Sequence, residues 1–93
     1  IGGHTPGQSV VTVDTSAGVV LLASDAVHYY EELERNMPFT QVADLIDMYA
    51  GFDRLRALRP DHLVAGHDPG TLGRFTPVTG PLAGLAATIG EEY

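Results

Sequence analysis

The sequence predicts a layered α/β domain, and three observations predict it. The run from Gly18 to Ala23 is apolar and rich in valine, and it stops abruptly at Ser24 and Asp25, as a buried strand does. A β-branched stretch, Ser9 to Asp14, precedes it across a tight cluster of turn residues. Further on, Gln41 to about Leu58 carries apolar residues at helical spacing and is long enough to cover a sheet.

The elements follow in order. Gly2, Gly3, Pro6 and Gly7 crowd the first eight residues, which therefore read as a loop. Ser9 to Asp14 alternates around Val11 and Val13 and reads as a strand. Asp14-Thr15-Ser16-Ala17-Gly18 is a turn, and Val19 to Ala23 returns as the second arm of an antiparallel hairpin, expected to be buried on both faces. Val27 to Arg35 places Tyr29, Tyr30 and Leu33 among Glu31, Glu32 and Glu34, a short helix ended by Asn36 and Pro38. Met37-Pro38-Phe39 is a loop with two large apolar side chains. Thr40 is the expected N-cap of the long helix, whose buried stripe would be Val42, Leu45, Ile46, Tyr49, Phe52, Leu55 and Leu58. Asp44 near its start and Arg54 and Arg56 near its end suit the helix dipole, and Pro60 stops it. His62 to Gly66 is a short strand that delivers His67-Asp68-Pro69-Gly70. A turn or brief helix spans Thr71 to Phe75, and Leu85 to Ile89 is a candidate edge strand.

Composition bounds the function. At 93 residues and 44% hydrophobic, the chain holds at most one small domain with ample material for a core. A net charge of −7, with five basic residues that are all arginine, argues against nucleic acid and against an anionic membrane surface. The absence of cysteine excludes disulfides and thiolate metal sites and suits a cytoplasmic protein. No apolar run is long enough to span a bilayer. The chain opens on Ile1-Gly2-Gly3-His4 with no initiator methionine, which reads as part of a longer polypeptide.

Three polar residues stand on loops at the ends of strands or turns: His4, Asp25 and His67. Imidazole is a favoured zinc ligand, and one carboxylate can bridge two cations held about 3.5–4 Å apart. Plainer readings stand beside this one. Asp25 could cap a following turn, His67 could be an ordinary loop residue, and Asp68 could cap the turn at Thr71 with Pro69 in its first position. His62 reads as structural or exposed. His28, three residues past Asp25, could face the same site or be a surface histidine. Three ligands are too few for two metals, so the rest would come from elsewhere.

Gly2-Gly3-His4-Thr5-Pro6-Gly7, the hairpin ending in Ser24-Asp25-Ala26, and Ala65-Gly66-His67-Asp68-Pro69 resemble the metallo-β-lactamase fold superfamily. More narrowly they resemble the carboxyl-terminal half of N-acyl homoserine lactonase-like hydrolases, as does the stretch from Asp25 to Met37-Pro38-Phe39. The resemblance covers about residues 1 to 75. It implies that residues 1–93 are the carboxyl-terminal portion of one four-layer αββα sandwich whose amino-terminal half, with its His-x-His-x-Asp-His signature, is absent from this sequence. It implies two divalent metal ions, zinc first, with iron or manganese as the other candidates. His4 would bind the first, Asp25 would bridge both, and His67 would bind the second.

The implied reaction is hydrolysis of a lactone ester by a metal-bound hydroxide, and with it a role in quorum quenching. Thioester hydrolysis of the glyoxalase II type is the alternative within the fold, and a catalytically inert fragment that needs a complementary chain is the alternative outside it. Lactonases of this group often carry tyrosine three residues after the bridging aspartate. Here that position is His28, with Tyr29 and Tyr30 after it, so His28 or Tyr29 is the candidate to steady the substrate carbonyl. The implied partners are the small ester or lactone, the amino-terminal half of the domain, and, through the uncovered sheet, a second copy in a homodimer. Alone, the chain is expected to be inactive.

Overall fold

The computed structural model describes residues 1–90. A three-stranded sheet is its centre. Strands β1 (Val11–Thr15) and β2 (Gly18–Ser24) form the expected antiparallel hairpin, with Val11 opposite Leu22 and Val13 opposite Val20. Strand β3 (His62–Ala65) adds to β2 in parallel, so β2 is the central strand. Between β2 and β3 run the helices α1 (Tyr30–Glu34) and α2 (Leu45–Leu58). A short pair, β4 (Thr76–Pro77) with β5 (Ala87–Thr88), lies within the tail, so the expected edge strand is shorter and pairs with its own neighbour rather than with the main sheet. No helix among the described residues is long and apolar enough to cross a membrane.

Side chains on a strand alternate between faces, and paired residues share one. Leu21, Ala23 and Ala65 on one face join Met48, Phe52 and Leu55 of α2, with Ala26, Val27 and Tyr30, in a single core. The opposite face is bare over much of its area: Val11, Val13 and Leu22 are 55%, 42% and 42% exposed. Burial of β2 on both faces is thus corrected to burial on one, apart from Val20, which is buried outside the main core. The cause is that α2 supplies a single cover. The described residues form one helix layer and one sheet layer of the four expected.

Both helices begin later than the sequence suggested. Residues 41–44 are not helical, because the N–H groups of Ala43 and Asp44 both donate to the Gly3 carbonyl, at 2.7 and 3.0 Å. The cap is Asp44, whose carboxylate accepts from the Asp47 N–H at 2.9 Å, and not Thr40. The buried stripe turns with it. Met48, Gly51, Phe52 and Leu55 face the sheet, while Leu45, Ile46, Tyr49 and Leu58 are exposed. Arg59, in a left-handed conformation, ends the helix just before Pro60.

In the same way α1 spans only Tyr30–Glu34 instead of Val27 to Arg35. The carbonyls of Val27 and His28 accept from Gly66 and His67 N–H, both at 2.9 Å, which extends the chain alongside the end of β3 instead of winding it.

Candidate metal centre

Each site residue is placed by a backbone constraint. His4 follows Gly3, which is buried at φ 127°, where a Cβ would come within 2.7 Å of the Met48 Cα. Only glycine allows that approach, and the approach docks the first loop onto the start of α2. His4 Nδ1 then lies 2.8 Å from the Gln41 carbonyl. A carbonyl only accepts, so Nδ1 carries the proton and Nε2 presents its lone pair inward.

Asp25 leaves β2 through an irregularity between Leu22 and Ser24. Ser24 is held at φ 50°, an uncommon conformation for a residue with a side chain, and Ala26 N–H closes the turn onto the Ala23 carbonyl at 3.1 Å. Gly66 packs against this turn so closely that a Cβ there would fall on the Ser24 carbonyl. That contact sets the two strand ends, and hence Asp25 and His67, side by side.

The three residues converge as the sequence suggested. Asp25 Oδ1 lies 2.7 Å from His67 Nε2, and Asp25 Oδ2 lies 3.4 Å from His4 Nε2. Each carboxylate oxygen therefore faces a different imidazole. His28 stands behind them, its ring centroid 4.9 Å from that of His4 and 5.5 Å from that of His67, and its Nε2 3.9 Å from Asp25 Oδ1. Of the two readings of His28, the surface one is overturned: the residue is 3% exposed. These four residues line one open pocket of about 390 Å³ with Tyr29, Phe39 and Gln41. His4, Asp25 and His28 each offer a ligand atom within 4.8 Å of the others, a spacing that a divalent cation could draw together. The donor set of imidazole nitrogen and carboxylate oxygen fits zinc, iron or manganese.

The plainer readings of Asp25, Asp68 and His62 fare differently. Among the described residues Asp25 caps no turn; its oxygens are turned to the histidines. Asp68 does cap the turn at Thr71, its backbone carbonyl accepting from Thr71 N–H at 3.2 Å. Its Oδ1 accepts from Gly70 N–H at 2.8 Å and its Oδ2 accepts from Tyr30 N–H at 3.1 Å, so it secures the start of α1 from across the chain. His62 is half-buried against Phe75, away from the site.

Sequence reasoning missed Glu32. It lies among glutamates on a short helix and looks like a solvated charge, yet it is 4% exposed. Its Oε2 accepts from Tyr29 N–H at 2.8 Å, its Oε1 accepts from Phe39 N–H at 2.7 Å, and its backbone carbonyl accepts from Met37 N–H at 2.9 Å. One residue thus folds the Met37-Pro38-Phe39 loop back over α1. The turn signal at Pro38 was the available hint.

No protein-family model matches the chain, and no curated protein sequence matches it. Among solved structures it is similar to an N-acyl homoserine lactone hydrolase with the product N-hexanoyl-L-homoserine bound at the catalytic metal centre. It is similar also to a mutant AiiA of B. thuringiensis with N-decanoyl-L-homoserine bound at the active site. Each is 30% identical at a TM-score of 0.66, over 73% of this chain and 28% of the other. The chain therefore spans 28% of the length of the structures it matches. The likeness supports a metallo-β-lactamase-like fold.

Proposed function

We propose that this chain is the carboxyl-terminal half of a dinuclear metal-dependent hydrolase that opens lactones, N-acyl homoserine lactones in particular. The observation that carries the proposal is the division of Asp25, with Oδ2 turned to His4 and Oδ1 to His67. A carboxylate so divided could serve one cation held with His4 and another held with His67. Two cations there would polarise the ester carbonyl and make a shared water acidic near neutral pH.

This chain's own residues hold and orient. His4 is aimed by the Gln41 carbonyl. His67 gives its Nε2 proton to the hydrogen bond with Asp25, and that proton must leave when Nε2 takes a metal. Tyr29 and Phe39 wall the site and, with Glu31, Glu32, Met37 and Pro38, a second, mainly apolar hollow of about 120 Å³ beside it. That hollow suits the first carbons of an acyl chain. The remaining ligands come from the amino-terminal half, which would cover the exposed Val11, Val13 and Leu22 face of the sheet.

The test is a substrate panel on the assembled protein: N-hexanoyl and N-decanoyl homoserine lactone against an S-acyl thioester. Lactone opening with kcat/KM at least tenfold above thioester cleavage is expected. Preference for the thioester transfers the reaction to that class, and hydrolysis of neither contradicts the hydrolase reading.

A further inference from the structure

The His28 ring is 3% exposed, and among the described residues neither of its nitrogens has a hydrogen-bond partner. An unsatisfied buried imidazole costs stability, on the order of 1–3 kcal/mol for each polar group left unpaired. Such a group persists where something else is meant to meet it. Its surroundings say what. Nδ1 lies 3.5 Å from Oε1 of the buried Glu32, and Nε2 points toward Asp25 and the pocket.

We infer that His28 is a metal ligand through Nε2, completing a three-ligand cation site with His4 and Asp25, and that Glu32 is its positioning residue. A carboxylate beside Nδ1 keeps the ring proton on that nitrogen and leaves the Nε2 lone pair for the metal. His4 is arranged in parallel, its Nδ1 proton spent on the Gln41 carbonyl and its Nε2 inward. Each histidine thus has an oxygen beside its outer nitrogen, hydrogen-bonded at 2.8 Å in His4 and at 3.5 Å without a hydrogen bond in His28, and an inner lone pair. This assignment removes His28 from the part of a hydrogen-bond donor to the substrate carbonyl, since a neutral ring protonated at Nδ1 has no donor on the inner side. Glu32 is itself fixed by the N–H groups of Tyr29 and Phe39, so the ligand and the wall of the pocket share one anchor.

The inference rests on the metal-site reading above, and the experiment separates the two. Cobalt(II) is titrated into the metal-stripped assembled protein, with affinity taken from chelator competition and ligand type from the visible d–d absorption. His28→Gln is expected to weaken cobalt binding at least 100-fold and to shift the bands, as loss of a nitrogen ligand does. Glu32→Gln is expected to weaken it about 10–100-fold, the usual cost of losing an outer acceptor. Should His28→Gln fail to fold, Glu32→Gln carries the test, because the amide oxygen can still accept one of the two backbone N–H groups. Wild-type affinity and spectrum in His28→Gln overturn the inference, and if Asp25→Asn alone loses cobalt, the bridging role stands without it. A destabilised Glu32→Gln with unchanged cobalt affinity confines Glu32 to the fold. Absence of cobalt binding in the wild type overturns both readings.

Discussion

Asp25→Asn should cut lactone hydrolysis by the assembled protein about a thousandfold or more, close to 4 kcal/mol of transition-state stabilisation. The substitution is nearly isosteric, so its effect is chemical. An amide keeps one acceptor oxygen and replaces the other with an NH₂ that cannot ligate, and it removes the negative charge that the proposed pair of cations would share. The fold should survive, because the Asp25 side chain is about one-third exposed and its recorded polar contacts are all to site histidines. Steady-state kinetics should therefore show a loss mainly in kcat, with an unchanged far-ultraviolet spectrum. Activity within tenfold of wild type would mean that Asp25 bridges nothing.

Phe52→Ala carries the largest expected effect on stability. Phe52 is fully buried at the centre of the α2–sheet contact, with the edge of Tyr49 against its ring and the Arg56 guanidinium 5.9 Å from its centroid. Truncation of a buried phenylalanine costs about 3–5 kcal/mol, through lost transfer energy and the cavity left behind. Small domains have about 5–15 kcal/mol in all. A large drop in the urea midpoint is expected, and with it loss of the site, because α2 also carries the Met48 backbone against which Gly3 places His4. A change below about 1 kcal/mol would show that Phe52 does not hold α2 to the sheet.

The ends of strands made His4, Asp25 and His67 legible as candidates. Polar groups next to glycines and at the close of apolar runs stand out, and the hairpin that aims Asp25 is a local structure with a local signal. What the sequence hid depends on contacts between distant residues. The start of α2 is decided by the Gly3 carbonyl, some forty residues upstream, and no helix propensity reports it. That shift of four residues rotated the expected stripe and left Leu45 and Ile46 outside. Glu32 was missed, and the choice between the two readings of His28 stayed open, for a related reason. Their burial follows from the loop at Met37-Pro38-Phe39 closing over α1, and a glutamate among glutamates gives no sign of it. The bare sheet face was expected from the sequence, since one helix cannot cover both sides.

The metal content of the assembled protein tests the central claim most directly. Elemental analysis of wild type and Asp25→Asn, purified side by side, should give two divalent ions per chain in the first and one or none in the second. Chelation should abolish lactone opening, and added zinc should restore it. A wild-type protein that hydrolyses lactones with no bound metal, or an Asp25→Asn variant that keeps both ions, would contradict the claim.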